Sequence, residues 1–334
     1  MKASEITRSL EHLIEARLPV FVWGPPGIGK SSIVRQLAEA KGLEFLDLRL
    51  SLLDPTDLKG VPFFDPGSRQ GIWAAPSFLP GDPDSRGVLF LDEINTAPPA
   101  VQASAYQLIL DRRVGEYELP EGWSIVAAGN RESDRGVVYR MPPPLANRFV
   151  HFEMEVDLED WKAWAYAEGV DPRLTAYLSH SPDSLFLFDA ASQQKSFPTP
   201  RSWSYVDRLL RSGLPEALLF DAVAGAVGRD EAVAFLSFVR VADELPDLGA
   251  ILAGEESAVP EDPRALTVLV SLLAARVAAS QEESAVEAAL RYSFRLPGEF
   301  AVMLVRELQG RGVTLEGSEA WSQWVERFAW LLEE

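Results

Sequence analysis

The apolar and polar positions of the chain change their pattern near residue 157. Before that point, short continuous apolar runs alternate with segments whose apolar residues recur every three or four positions. Continuous runs are typical of strands that are buried on both faces, and the longer period is typical of helices that bury one face. Beyond residue 157 the helical period dominates. The pattern therefore predicts an α/β unit with a parallel sheet, followed by helices.

The first part of the chain is predicted to alternate strands and helices. The strands are residues 20–23, 45–50, 87–94, 124–129 and 150–156, and the helices are residues 2–16, 32–40, 96–110 and 145–149. Residues 51–84 are rich in Pro, Gly and Asp, and they fit an inserted β-hairpin and a plain surface loop equally well. A second, smaller hairpin is predicted over residues 111–118.

The second part of the chain reads as helices in two groups, separated by a linker that follows Pro246. The helices are residues 158–168, 172–180, 201–212, 216–228, 230–244, 265–279, 283–292, 297–309 and 318–332. A cluster near the end fits a core face or a subunit contact better than a cofactor site, and consists of Trp321, Trp324, Phe328 and Trp330. We expect three domains, at residues 1–157, 158–244 and 245–334.

Composition narrows the classes of function. The chain of 334 residues contains no cysteine and only three histidines, which excludes disulfides and thiolate metal sites and disfavours a histidine metal cluster. A net charge of -19 disfavours a large nucleic-acid surface. The start of the chain lacks the pattern of a secretion signal, and the most apolar later stretch, residues 265–275, is too short to cross a bilayer. We expect a soluble cytoplasmic protein without a membrane partner.

The strongest local signal is the segment GPPGIGKS, from Gly24 to Ser31. It fits the pattern of a phosphate-binding loop at every fixed position, directly after a predicted strand and before a predicted helix. The glycines turn backbone N–H groups toward phosphate oxygens, Lys30 reaches the outer phosphates, and the Ser31 hydroxyl holds Mg²⁺. A glycine-rich turn with a chance lysine is the alternative, which this setting disfavours. The predicted binding residues are Gly24, Pro25, Pro26, Gly27, Ile28, Gly29, Lys30, Ser31 and Ser32.

The second strong signal is the segment GVLFLDEI, from Gly87 to Ile94. It delivers Asp92 and Glu93 at the carboxyl end of a buried strand, where α/β sheets place their ligands. We predict that Asp92 belongs to the Mg²⁺ shell and that Glu93 orients and polarises an attacking water. In the alternative interpretation, the two acids only cap the following helix.

Two further polar residues, Asn130 and Arg148, are candidates for the same site, and each has an ordinary alternative. Asn130 follows a strand end and could hold the water or sense a phosphate, but Gly129-Asn130 is also a turn signal. Arg148 ends the first unit, where it could reach a neighbouring subunit's phosphate, or it could simply be solvated. Arg201 begins a helix, where a positive charge is not favoured by the helix dipole.

The order of these motifs resembles that of the AAA+ ATPases, and the likeness is greatest to their MoxR group. The phosphate loop, LFLDEI, the Gly129-Asn130 strand end, LANRF and TPRSW carry the resemblance over residues 1–240. The segments DLKGVPFF, GIWAAPSFLP and RRVGEYELPEGW look like the extra hairpins of the MoxR branch. The resemblance implies a phosphate-loop AAA+ core with a parallel sheet, an α-helical lid and a C-terminal helical region.

The resemblance also assigns roles and partners. It implies ATP and Mg²⁺ as cofactors, a homo-oligomeric ring of six subunits, Asn130 as first sensor, Arg148 as the arginine finger and Arg201 as second sensor. Arg113 is implied more loosely in coupling neighbours, and the alternative fingers are Arg131, Arg135 and Arg140. A MoxR-like ATPase is expected to act as a chaperone on a protein client, often with a partner that carries a von Willebrand A domain.

Two other classes of function remain open at this stage. The first is a DNA motor or loader, whose hairpin arm over residues 111–123 would enter a pore. Only two basic residues lie in that arm against three glutamates, which disfavours contact with phosphates. The second is a slowly hydrolysing nucleotide switch, which Glu93 argues against because a switch needs no base beside the magnesium carboxylate.

Overall fold

The computed structural model describes residues 1–67, 69–134, 139, 141–255 and 257–331. Its residues form two compact units. The first comprises Met1–Asp157 with Ala190–Ser192, and the second comprises Leu158–Asp189 with Gln193–Glu334. The first unit is α/β and the second is helical.

A parallel sheet organises the first unit. In chain order its elements are α1 (Ala3–Glu15), β1 (Val20–Trp23), α2 (Lys30–Ala40), β2 (Glu44–Arg49), α3 (Pro55–Lys59), β3 (Val61–Asp65), β4 (Gln70–Ala74), β5 (Arg86–Asp92), α4 (Pro99–Asp111), β6 (Arg113–Val114), β7 (Tyr117–Glu118), β8 (Gly122–Gly129), α5 (Pro143–Ala146) and β9 (Val150–Glu153). Five strands pair in parallel in the order β2-β5-β8-β1-β9. This sheet confirms the predicted fold class.

The sheet is buried on both faces, as its continuous apolar strands predict. Phe21, Leu89 and Ile125 belong to the core that α4 covers. On the other side, α2 contacts β5 and β8, and α1 contacts β8 and α2. The central strand β5 illustrates the result, because Val88 and Phe90 are fully buried together with Leu89 and Leu91.

The strand order determines which loops meet. The chain leaves β1, crosses over β8 and β5, and continues as β2 at the edge of the sheet, while β9 pairs with β1 on the other side. Ligands of open α/β sheets bind at the carboxyl ends of strands, beside the point where the direction of these crossovers changes. The loops that follow β1, β5 and β8 therefore lie side by side at the carboxyl ends of these three strands.

Two antiparallel hairpins project from this scaffold. The pairing of β3 with β4 shows that residues 51–84 contain the inserted hairpin and are not a plain loop. Its aromatic residues remain accessible, with Phe64 65% exposed. The smaller hairpin pairs β6 with β7, and an ion pair of 3.1 Å between Arg113 Nε and Glu118 Oε1 joins its strands.

The second unit is built from helices throughout. They are α6 (Leu158–Ala167), α7 (Pro172–His180), α8 (Pro200–Arg211), α9 (Glu216–Val227), α10 (Arg229–Val239), α11 (Leu248–Leu252), α12 (Pro263–Ser280), α13 (Glu283–Ser293), α14 (Gly298–Gly310) and α15 (Glu319–Phe328). The short helix α11 lies in the segment that the sequence pattern predicts as linker. Trp324 and Phe328 lie in the core of the C-terminal helices, as expected for a core face.

Helices that precede residue 244 contact helices that follow it, although the sequence suggests a domain boundary at this residue. Helix α12 packs against α7 and α14, and α14 also contacts α6. The separation of a lid at 158–244 from an extension at 245–334 stays a prediction, and the two segments lie within one compact unit.

Helix α12 is the one described helix with the length and apolar composition of a membrane span. It extends beyond the predicted apolar stretch, and 56% of it is buried inside the protein. Such burial is typical of a core helix, since α12 supplies much of the apolar core of the C-terminal helices.

Candidate phosphate-binding site

The loop between β1 and α2 carries the strongest sequence signal. Its last residue, Gly29, precedes the first helical residue Lys30 and has φ of 99°. Side chains rarely adopt this conformation, so glycine is required where the loop turns into the helix. Ser31 and Ser32 lie in the first turn of α2. The backbone N–H groups of a first helical turn have no partners within the helix, so they are available to a ligand.

Lys30 connects this loop to the end of β8. Its ammonium group donates to the carbonyl oxygens of Gly24 and Pro25 at 2.6 and 2.9 Å, and to Asn130 Oδ1 at 3.3 Å. Of the three partners, Asn130 is 100 residues away in the chain. The structure therefore brings together the loop lysine and the polar strand end that the sequence analysis predicts for one site.

The two carboxylates lie at the carboxyl end of β5. The backbone N–H of Glu93 donates to Asp92 Oδ1 at 2.9 Å, and Glu93 has φ of 56°. A positive φ is uncommon for a residue other than glycine, and such strain clusters at functional sites. The unusual backbone conformation thus falls at one of the two carboxylates for which the sequence predicts different roles.

The electrostatics around Asp92 favour a cation. Burial raises the pKa of Asp92, and the nearby carboxylates of Glu93 and Asp47 raise it further, whereas Lys30 opposes the increase. Asp47 Oδ1 is buried without a hydrogen-bond partner among the described residues. A divalent cation would offset this excess of negative charge, because it favours the ionised carboxylates.

The donor set fits Mg²⁺ held jointly with phosphates. Mg²⁺ prefers hard oxygen ligands, and it commonly uses one or two carboxylates together with substrate phosphates and water. Ser31 and Asp92 supply a hydroxyl and a carboxylate of this kind. Within the described ranges, no group of three or more acidic, histidine or cysteine side chains forms a metal site independent of a nucleotide.

Ser51 is a site residue that sequence reasoning missed. It lies just beyond β2, and its hydroxyl donates a hydrogen bond to Glu93 Oε2. The two residues are 42 positions apart. No motif marks Ser51, because the contact exists only through the pairing of β2 with β5.

Asn95 is a second missed residue, and it supports Asn130. Its amide Nδ2 donates to the Asn130 carbonyl at 2.7 Å, while the side chain is almost fully buried at 2% exposure. A Cβ on Gly129 would lie 2.4 Å from Asn95 Oδ1, so glycine is required before Asn130. Its position two residues after Glu93 could have marked Asn95 in the sequence.

Arg148 lies away from the loop of its own chain. In the parallel pairing, Val20 aligns with Val150 and Trp23 with Glu153. Arg148 precedes Val150, at the amino end of the strands, whereas the loop follows Trp23 at the carboxyl end. Val20 and Trp23 are three residues apart, so the two ends of β1 are separated by about 10 Å. Arg148 is exposed, and no described ion pair involves it.

Of the three alternative arginines, Arg131 lies among the described residues, and it differs from Arg148. Arg131 Nε lies 3.5 Å from Asp134 Oδ1, and its backbone N–H donates to the same carboxylate at 2.8 Å. Arg131 is therefore engaged in its own turn. Arg135 and Arg140 lie outside the described residues.

Arg201 belongs to the second unit, in the first turn of α8. Thr199 caps this helix, because its Oγ1 accepts from the Ser202 N–H at 3.0 Å and the Ser202 hydroxyl accepts from the Thr199 N–H at 2.8 Å. Arg201 is exposed while Trp203 is fully buried. Its predicted role as second sensor stays a prediction.

Comparison with known families supports the assignment of the first unit. Residues 19–151 match the family described as "ATPase family associated with various cellular activities (AAA)". An AAA-type ATPase module occupies this segment. The AAA module contains the loop, Asp92, Glu93, Asn130 and Arg148.

Two solved structures align with most of the chain at low similarity. The Thermotoga maritima RuvB Holliday junction branch migration motor is 19% identical over 75% of this chain and 74% of that chain, with a TM-score of 0.38. NtrX from Brucella abortus in complex with ATP is 17% identical over 94% of this chain and 69% of that chain, with a TM-score of 0.42. Because both superpose loosely, neither decides a property of this chain.

Proposed function

We propose that this protein is an ATP-hydrolysing motor of the MoxR-like AAA+ group, which acts on a protein client as a homo-oligomeric ring. The observation that carries the proposal is the placement of Asp92 and Glu93 at the strand end beside Lys30. In this assignment Lys30 offsets charge on the outer phosphates, Ser31 and Asp92 hold Mg²⁺, and Glu93 places water in line with the transferred phosphoryl group.

The position of Arg148 supports assembly. A residue at the amino end of β9 cannot complete the phosphate site at the carboxyl end of β1 in the same chain. It is exposed, and a second copy could present it to a neighbour's loop. Mg²⁺ held by Ser31 and Asp92 would neutralise phosphate charge, and Arg148 would add positive charge at the transferring group. A ring of six subunits is the assembly that the resemblance implies.

The rates of ATP hydrolysis of three variants, compared with the wild type, test the proposed reaction. An arginine finger is worth about 10³ to 10⁵ in kcat, so Arg148→Ala should lose about 10³-fold or more while it keeps ATP binding. Glu93→Gln should bind ATP and hydrolyse it at a strongly reduced rate. Arg8→Ala, which changes an exposed arginine of α1, is the matched control and should hydrolyse ATP like the wild type.

A mixing experiment separates action on a neighbour from action within one chain. Arg148→Ala and Glu93→Gln should each hydrolyse ATP very slowly alone. A mixture of the two should form interfaces that join an intact Arg148 to an intact Glu93. Recovery of part of the wild-type rate supports the ring interface. Normal turnover by Arg148→Ala alone would contradict it, as would sedimentation of the ATP-bound protein as a monomer.

The client can be sought with the Glu93→Gln protein, which should hold ATP and retain its partner. We expect a protein in the captured material, together with an adaptor that carries a von Willebrand A domain. ATPase activity that DNA stimulates, and that falls steeply with salt, would instead place the protein among DNA motors.

A further inference from the structure

His151 bridges the two segments that the proposed mechanism needs. The indole N–H of Trp23 donates to His151 Nδ1 at 2.9 Å, and His151 Nε2 lies 2.7 Å from the carbonyl oxygen of Ala146. Trp23 is the last residue before the phosphate loop. Ala146 ends α5 and lies two positions before Arg148. One imidazole ring thus joins the strand that leads into the loop to the turn that carries the arginine.

The partners determine the protonation state of this ring. An indole N–H can only donate, so Nδ1 must accept. A carbonyl can only accept, so Nε2 must carry the proton. Neutral imidazole has one acceptor and one donor and satisfies both partners. The imidazolium ion has two donors, and its Nδ1–H would oppose the Trp23 N–H.

Aromatic packing fixes the orientation of the ring. Trp23 stacks on Phe21 with centroids 4.1 Å apart, and the His151 ring lies 6.0 Å from that of Trp23 at an interplanar angle of 21°. Phe149 meets His151 edge-on at 6.2 Å. Phe21 and Phe149 are buried, so the row is anchored in the core of the AAA module.

The placement of Arg148 depends on the backbone of this turn. The N–H of Arg148 donates to the Leu145 carbonyl at 2.9 Å, and the N–H of Phe149 donates to the Ala146 carbonyl at 3.2 Å. Leu145 and Phe149 are buried on either side of it. These hydrogen bonds fix the backbone from which the Arg148 side chain extends, and the bond from His151 to Ala146 belongs to the same turn.

We propose that His151 is a positioning residue for Arg148, and that it holds the arginine turn in register with the phosphate-loop strand only as the neutral imidazole. The inference rests on the proposed function, in which Arg148 acts on the nucleotide of a neighbouring subunit. It makes that step depend on which nitrogen of His151 carries the proton, since an imidazolium ion would set its Nδ1–H against the N–H of Trp23.

Few charged groups face the bridge. Neither β1 nor α5 carries an ionisable side chain. On its own strand, Glu153 lies two residues further along, and Arg148 lies in the preceding turn. These segments therefore contribute one carboxylate and one cation among the described residues.

Two variants of the full chain test the role through ATPase kinetics. His151→Phe keeps an aromatic ring but loses both hydrogen bonds, and we expect kcat to fall about tenfold with KM for ATP unchanged. His151→Gln keeps one donor and one acceptor, and we expect near-wild-type kcat at pH 7.5. Recovery of kcat in His151→Gln but not in His151→Phe would show that the two hydrogen bonds, and not the ring shape, place the arginine turn. A wild-type kcat in His151→Phe would overturn the inference.

Nuclear magnetic resonance tests the bridge without reference to turnover. The chain has three histidines, so comparison with His151→Gln assigns the His151 imidazole signals. We expect its neutral form to carry the proton on Nε2, and Trp23→Phe should shift its Nδ1 resonance. A proton on Nδ1 would refute the bridge. If Arg148→Ala hydrolysed ATP normally, the proposed function would fail while this measurement still decided the bridge.

Discussion

At the scale of single residues, the environment of Glu93 is the most informative feature of the AAA module. The backbone of Glu93 is strained, and its N–H donates to the carboxylate of Asp92. The carboxylate of Glu93 accepts a hydrogen bond from Ser51. A hydrogen bond from a hydroxyl restricts the rotamers of the carboxylate that accepts it. The predicted role of Glu93 as a base requires such an orientation, because the carboxylate must place a water molecule.

We therefore expect Ser51→Ala to lower kcat about tenfold, because the loss of one charge-assisted hydrogen bond loosens the base. KM for ATP should not change, since Ser51 contacts no predicted phosphate-binding residue in the described contacts. Steady-state ATPase kinetics check this. Ser51→Thr retains the hydroxyl and should keep most activity, and an unchanged kcat in Ser51→Ala would show that the bond does not position Glu93.

At the scale of elements, helix α8 shows how a short segment fixes its own start. Thr199 is the N-cap, Pro200 occupies the first helical position, and Ser202 completes a reciprocal pair of hydrogen bonds with Thr199. Both polar partners are buried, with Thr199 5% exposed. The cap therefore holds Arg201 in the first turn of α8, although the helix dipole does not favour a cation there.

Loss of this cap should destabilise the second unit. Thr199→Ala removes the oxygen that accepts from the Ser202 N–H, and we expect the free energy of unfolding to fall by about 1 kcal/mol. Urea denaturation followed by circular dichroism measures the change. Thr199→Ser keeps the oxygen and serves as the control, and equal stability of the Ala and Ser proteins would contradict the role of the cap.

At the scale of the whole molecule, the C-terminal residues are part of the core of the second unit. Glu307 on α14 is 1% exposed and accepts from Ser271 Oγ on α12 at 3.1 Å, and its carboxylate pairs with Arg311 at 3.3 Å. The Arg311 guanidinium lies 4.4 Å above the ring of Tyr166 on α6. Burial raises the pKa of Tyr166, and the Glu307 carboxylate adds to the increase, so its hydroxyl stays protonated. This cluster ties α6 to α12 and α14.

A chain that ends at residue 244 should therefore lose the cooperative folding of the remaining helices. Helices α6 and α7 would expose the surfaces that α12 and α14 cover, at a cost of roughly 25 cal/mol for each Å² of apolar area. Calorimetry and limited proteolysis of residues 1–244 against the full chain test this. A protease-resistant helical segment at 158–244, with an unfolding transition of its own, would show that the lid folds without the extension.

Much of the fold and half of the site follow from the sequence because they depend on neighbours in the chain. The apolar runs define the strands of the parallel sheet, and the fixed glycines of residues 24–31 define a loop between a strand and a helix. Asp92 and Glu93 follow a buried strand in the same way. In these cases the backbone conformation of a few consecutive residues carries the signal.

The remaining contacts depend on the order of the strands, which periodicity does not encode. Lys30 meets Asn130 across 100 residues, Ser51 meets Glu93 across 42, and Trp23 meets His151 across 128. The same applies to the distance of Arg148 from its own loop, which follows from the pairing of β1 with β9. The sequence by itself determined which residues are the candidates for binding phosphate. Only the tertiary structure decided which side chains hold them in place, because long-range strand pairing selects one set of neighbours from many with the same local pattern.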